Sequence, residues 1–158
     1  MVAFLFPGQG SQYVGMAGNI VDPVLTRRLF ERASDVLGLD LWHLVDAGDE
    51  AELTRTENTQ PALFATEMAW VGALAGRDMV CDVAAGHSLG EFGALCCAGV
   101  FTFEDGIRLV RRRGEIMARA ASNSPGTMAA VIGLDESDLQ VVLAEGHRSG
   151  IVEVANYN

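Results

Sequence analysis

One serine in this chain stands where a nucleophile would. Ser88 lies in Gly86-His87-Ser88-Leu89-Gly90, between the largely apolar run 79–85 and a helical pattern that starts at Leu89. A strand, then G-x-S-x-G, then a helix is the layout of a nucleophile elbow. The tight turn exposes the serine oxygen, and the helix N-terminus aims backbone N–H groups at an oxyanion. Glycines at 86 and 90 suit it, because positions two residues either side of the serine crowd against the turn. The competing reading is a glycine-rich turn whose serine only caps the helix.

Arg113 is the second residue of chemical interest. With residues 107–121 on a helix at about 100° per residue, Arg108, Arg111, Arg112, Glu115 and Arg119 share a polar arc. Leu109, Val110, Ile116, Met117 and Ala120 lie opposite, and Arg113 falls in the middle of this apolar arc. Burying an unpaired guanidinium costs on the order of several kcal/mol, so an anion is expected beside it. Periodicity leaves open an internal Asp or Glu as that partner.

The glycines of "PGQGSQYVG" fail the dinucleotide fingerprint, because Tyr13 stands where the third glycine is needed. The stretch reads instead as a flexible loop at a strand end, where Gln9 between two glycines lets an amide and its backbone approach a ligand; an ordinary surface loop is the alternative. A nucleophilic serine also needs a general base. Three histidines are present. His87 adjoins the serine, where neighbouring side chains diverge, His43 lies in an early helical stretch, and His147 ends a late one. None is assigned the role.

The elements that must position these residues follow from pattern. "VAFLF" (2–6) is a strand stopped by Pro7-Gly8. Residues 22–38 form a helix with Asp22 as N-cap, Pro23 in the first turn and Gly38 after the last. Residues 59–76 repeat the logic, with Thr59 or Gln60 before Pro61 and Gly76 as stop. "MVCDVAA" (79–85) is the strand that enters the elbow, and the helix after it runs toward Val100 with Leu89, Phe92, Leu95 and Cys96 on one face. Thr102 caps the helix that carries Arg113. "SNSPG" (122–126) is a boundary of small and turn-forming residues. Beyond it "TMAAVIGL" reads as a strand, the stretch from Asp135 to Gly146 as a helix, and "IVEVANYN" as a second strand. The domains are therefore 1–124 and 125–158.

Composition narrows the chemistry. The 158 residues, 49% hydrophobic, can bury one substantial core. A net charge of −10 argues against a nucleic-acid surface. No residue is lysine, so P-loop and Schiff-base lysine chemistry are excluded. No apolar run suits a membrane span or a leader, and a cytoplasmic location is expected. Cys81, Cys96 and Cys97 lack metal-ligand spacing and read as reduced core residues, with no disulfide, zinc or other metal.

Several segments, taken in order, carry a family resemblance: "FPGQGSQ" (6–12), "TQPALFA" (59–65), "GHSLGEF" (86–92), "AGVFTFEDGIRLVRRRGEIM" (98–117) and "GTMAAVIGL" (126–134). Together they resemble the malonyl-CoA:acyl-carrier-protein transacylases of fatty acid synthesis and the related acyltransferases, embedded or trans-acting, of polyketide synthesis. The resemblance implies an α/β fold, an α/β-hydrolase-like core with an inserted ferredoxin-like subdomain, of which this chain is an incomplete, N-terminal part. It implies that Ser88 takes the malonyl group as an ester and that Leu89 and Gln9 form the oxyanion hole. Arg113 would hold the malonyl carboxylate and Met117 would wall the pocket, while Asn156 and Asn158 match substrate-binding asparagines. No cofactor is implied: malonyl-CoA is the substrate, and the phosphopantetheine thiol belongs to a partner acyl carrier protein. The family's base histidine falls beyond residue 158, so a complementary C-terminal polypeptide is expected. The rival enzyme is a serine esterase or thioesterase, whose folds place several strands before the nucleophile; the non-enzyme rival is an inactive, carrier-binding fragment.

Overall fold

The computed structural model describes residues 1–124 and 126–157. Its elements run β1 (Ala3–Phe6), α1 (Pro23–Leu37), α2 (Leu41–Ala47), α3 (Glu50–Thr54), α4 (Thr56–Ala75), β2 (Val83–Gly86), α5 (Gly90–Cys97), α6 (Phe103–Asn123) and α7 (Glu136–Gly146). The chain is α/β. It divides into two compact units, Met1–Pro125 and Gly126–Asn158. No helix among the described residues is long and apolar enough to cross a membrane.

The first unit is built around α4. Twelve of its residues are buried, on every side of the helix, as expected of a helix enclosed by its neighbours. α6 lies against it through a stripe of Gly106, Ile107, Val110 and Gly114. The glycines set the approach. A Cβ on Gly114 would come within 2.7 Å of the Glu57 Cα, and one on Gly106 would overlap the Phe64 ring. Local caps fix the helix ends as the sequence indicates: Asp22 accepts from the Leu25 N–H at 2.9 Å, Gly38 closes α1 at φ +67°, and Thr102 accepts from the Asp105 N–H at 3.2 Å.

Three expectations for this unit need correction. α4 starts at Thr56 rather than near Pro61, which sits inside the helix. Pro61 has no N–H to bond the carbonyl four residues back. That carbonyl, of Glu57, instead accepts from Arg111 Nη1 at 2.9 Å, a bond from α6 that makes the internal proline tolerable. β2 spans Val83–Gly86, not 79–85, because β1 offers only four residues before Pro7, in register from Ala3 opposite Val83 to Phe6 opposite Gly86. The Asp82 side chain precedes the ladder, accepting from the Val2 N–H at 2.7 Å. α5 ends at Cys97, with Gly99 at φ +77° reversing the chain, and Leu95 on its expected inner face is exposed. The three cysteines are free thiols, with Cys96 and Cys97 half-buried against the core; burial pushes the Cys96 thiol up to about 11.

In the second unit α7 forms as patterned, with Asp135 accepting from the Asp138 N–H at 3.0 Å. Its apolar flanks do not form strands: among the described residues, neither 127–134 nor 151–157 is paired. An extended apolar segment becomes a strand only when it finds a hydrogen-bonding partner, and these two do not pair with each other.

Candidate active site

β1 and β2 run parallel, so their carboxyl ends lie at the same edge of the sheet. Ligands of open α/β sheets bind beyond that edge. Ser88 stands two residues past the end of β2, and Gln9 three past the end of β1. Ser88 has φ +54°, a left-handed conformation unusual for a residue with a side chain. The strain comes with very close packing. A Cβ on Gly86 would overlap the backbone of Gly90, and a Cβ on Gly90 would overlap the Phe6 carbonyl. Only glycines fit at both positions, which is the physical content of the G-x-S-x-G spacing.

The turn leaves donors free at the serine. The N–H groups of Gly90, Glu91 and Phe92 bond back to His87, Ser88 and Leu89 carbonyls, whereas the Leu89 N–H donates to no acceptor among the described residues. The Leu89 side chain is fully buried, which fixes this N–H in place. The glycine loop lies against the elbow. A Cβ on Gly8 would come 2.9 Å from both the carbonyl oxygen and Nδ1 of His87. Gln9 itself is exposed, and its Nε2 donates to Thr56 Oγ1 at 3.0 Å.

Arg113 reaches this turn from α6. Its Nη2 donates to Ser88 Oγ at 3.0 Å, its Nη1 donates to Gln60 Oε1 at 2.9 Å, and its guanidinium lies 5.7 Å from the Phe92 ring centroid. No carboxylate among the described residues pairs with it. The internal Asp or Glu that periodicity left open is therefore not what the structure supplies: the partners are a neutral amide, a hydroxyl and an aromatic face. Arg113 also sits at the edge of the buried stripe, half-buried, rather than in the middle of an apolar face. Leu109, Ile116 and Met117 of the supposed apolar arc are exposed at 46%, 51% and 39%.

Gln60 is a site residue that sequence reasoning passed over, considering it only as a cap. It is fully buried, and its Nε2 also donates to Met117 Sδ at 3.2 Å. Gln60 thus joins Arg113 and Met117 into one constellation around Ser88. A glutamine directly before the apolar run from Pro61 to Ala65 was the available signal.

The histidines are dispersed, with His87 next to Ser88 on the elbow. His43 is exposed on α2, and His147 lies in the second unit with Nδ1 2.8 Å from the Leu143 carbonyl. Asn156 also belongs to the second unit, and Asn158 falls outside the described residues. Among the described residues no group of His, Cys, Asp or Glu could hold a metal ion.

A short parallel sheet that delivers a strained serine to a helix N-terminus, beside an arginine with no carboxylate partner among the described residues, defines an α/β protein with a serine on a tight strand-to-helix turn. The comparisons narrow this class. The acyl transferase domain family matches residues 3–151, and the chain belongs to that family. The malonyl CoA-acyl carrier protein transacylase of Bacillus subtilis is 42% identical over 159 residues, covering 99% of this chain and 50% of the relative. The protein of that name from Escherichia coli K12 is 42% identical over 163 residues, covering 99% and 51%. Among solved structures, the malonyl CoA-acyl carrier protein transacylase of Clostridium perfringens superposes with a TM-score of 0.86 at 39% identity, covering 99% of this chain and 50% of that one. A malonyl-transacylase in complex with a type II polyketide synthase acyl-carrier protein gives 0.82 at 41% identity, covering 94% and 49%. The chain spans about half the length of the relatives it matches.

Proposed function

We propose that this chain carries the nucleophile half of an acyltransferase that moves a malonyl group from CoA to the phosphopantetheine thiol of an acyl carrier protein. The observation that carries the reading is the Arg113 guanidinium, unneutralised by any described carboxylate and donating to Ser88 Oγ. A cation poised beside a nucleophile suits an acyl group that bears its own carboxylate. Ser88 Oγ attacks the malonyl thioester carbonyl, its proton passes to a general base, and CoA leaves as the thiol. The carrier thiol then attacks the serine ester, and Ser88 Oγ regains a proton. The Leu89 N–H and the Gln9 loop stabilise the tetrahedral oxyanion of both steps. Arg113 exchanges Gln60 and Ser88 for the two oxygens of the malonyl carboxylate, with Met117 as the neighbouring wall. No cofactor is needed beyond the substrates.

In this reading the general base comes from a complementary C-terminal polypeptide. That chain also completes an α/β-hydrolase-like core, in which residues 1–124 form the first part and 125–158 begin an inserted ferredoxin-like subdomain. Asn156 and Asn158 then meet the substrate from that subdomain. The protein works in the cytoplasm. The presence of a single strand before β2 supports this reading over an esterase, whose fold places several there.

The test is Arg113→Ala in the assembled enzyme, assayed with malonyl-CoA and acetyl-CoA. Loss of a charge-assisted bidentate pair removes about 2–4 kcal/mol of malonyl-specific stabilisation, which lowers malonyl transfer at least tenfold while acetyl transfer holds or rises. An unchanged malonyl-to-acetyl ratio would refute the assignment.

A further inference from the structure

The loop that follows β1 has little of its own to hold it in place. Residues 8–14 belong to no helix or strand. Their side-chain hydrogen bonds mostly close within the loop: Ser11 Oγ donates to the Gly8 carbonyl at 2.8 Å, and the Gly10 N–H donates to Gln12 Oε1 at 2.8 Å. Among the described residues the one hydrogen bond from this stretch to another element runs from Gln9 Nε2 to Thr56 Oγ1 at 3.0 Å. It engages the side chain only. The Gln9 backbone N–H, like that of Leu89, donates to no acceptor among the described residues.

Thr56, by contrast, is firmly placed. It is half-buried and opens α4, and Gly114 of α6 lies so near that a Cβ there would come 2.8 Å from the Thr56 carbonyl oxygen. Arg111 Nη1, from the same α6, donates to the Glu57 carbonyl and to Asn58 Oδ1, each at 2.9 Å. Gln60 stands one turn after Thr56 on the same side of α4, and its Oε1 accepts from Arg113 Nη1 at 2.9 Å. One turn of α4 therefore reaches both arms of the site, the Gln9 loop through Thr56 and the Arg113 guanidinium through Gln60.

We infer that Thr56 is a positioning residue for acyl transfer: its hydroxyl holds the Gln9 side chain so that the loop's free backbone donor stays beside the elbow. This rests on the acyltransferase reading, with the Gln9 loop as a source of oxyanion donors, and it adds how that donor is kept in place. A preorganised donor stabilises a transition state because it need not be ordered while charge develops. A donor that must first be ordered lowers kcat. It does so for every acyl group, since the tetrahedral oxyanion is common to all of them, whereas Gln60 acts on the arginine that meets only a carboxylated one.

The test compares Thr56→Val, which removes the hydroxyl at nearly constant size, with Thr56→Ser, which keeps it. In the assembled enzyme Thr56→Val lowers kcat about fivefold with malonyl-CoA and acetyl-CoA alike, the scale of one neutral hydrogen bond, and leaves KM and the malonyl-to-acetyl ratio unchanged. Thr56→Ser restores the rate. Gln9→Ala with Thr56→Val costs no more than Gln9→Ala by itself, because both cut the same bond. In the 158-residue chain, amide relaxation by nuclear magnetic resonance reads the loop without turnover. Order parameters of residues 9–12 fall below about 0.6 in Thr56→Val but not in Thr56→Ser, while those of residues 62–69 on α4 hold in both. A loop as ordered in Thr56→Val as in the unsubstituted chain would overturn the positioning role. So would a shifted malonyl-to-acetyl ratio, or a rate that Thr56→Ser does not restore, and each of these leaves the acyltransferase reading standing. Absence of acyl transfer by the unsubstituted enzyme would overturn that reading and the role with it.

Discussion

The strain at Ser88 can be isolated by comparing two substitutions that both delete the hydroxyl. Ser88→Ala and Ser88→Gly each remove the acceptor of the Arg113 Nη2 bond, so that loss cancels between them. What remains is the backbone at φ +54°. An L-residue in the left-handed region costs about 1–2 kcal/mol, and glycine avoids this. Glycine in turn gives up about 0.4–1 kcal/mol through the greater freedom of its unfolded chain. The net expectation is that Ser88→Gly is more stable than Ser88→Ala by about 0.5–1 kcal/mol, or about 1–4 °C in Tm for a chain of this size. Urea and thermal unfolding followed by circular dichroism give both numbers. If Ser88→Ala proves as stable as Ser88→Gly, or more so, the elbow is not strained and the account of the turn fails.

Two further outcomes follow from the packing. Arg111→Ala strands the Glu57 carbonyl that Pro61 cannot serve and costs about 1–2 kcal/mol. In a Pro61→Ala background the new N–H can take that carbonyl, so the cost of Arg111→Ala falls measurably in a double-mutant cycle. Burial raises the Glu67 carboxyl to about 8. Its folded-state value thus lies above its unfolded one, and the folded chain holds a proton that the unfolded chain releases. Its contribution to stability is fully present below about pH 4 and falls by up to about 1.4 kcal/mol per pH unit as pH rises toward about 8. Glu67→Gln removes this slope, and denaturation midpoints at pH 5, 6.5 and 8 read the difference directly.

The parts that sequence made legible are those decided locally. The strand-turn-helix around Ser88 follows from five consecutive residues and their flanks, and the caps at Asp22, Thr102 and Asp135 from single side chains meeting nearby N–H groups. What escaped was decided at a distance. Pro61 looked like a helix start because the bond that lets it sit inside α4 comes from Arg111, fifty residues on. Residues 127–134 and 151–157 carry a strand pattern, but pairing is not a property of a segment alone. The apolar arc of α6 was drawn too wide because helical angle says which residues share a face, not how much of that face a neighbour covers. Glu67 drew no notice, since nothing in the pattern of α4 distinguishes a carboxyl buried against Gly93 of α5 from one facing solvent.

The same long-range placement explains why substrate selection and nucleophile release can be one event in the proposed reaction. Gly106 and Gly114 let α6 lie close on α4, which brings the Arg113 guanidinium to Gln60 on one side and to Ser88 on the other. In this resting arrangement Arg113 Nη2 occupies a lone pair of the serine oxygen, and a hydroxyl that accepts from a cation is a poorer nucleophile. An acyl group without a carboxylate leaves that bond in place. A malonyl carboxylate is a stronger acceptor for the guanidinium than a hydroxyl or an amide, so its arrival draws Nη2 away and frees the oxygen that must attack. In the resting arrangement Gln60 aligns the guanidinium, and its own buried amide is held in turn by Met117. In the proposed reaction, discrimination would then come from exchange of partners at Arg113 as well as from the affinity of the pair it forms.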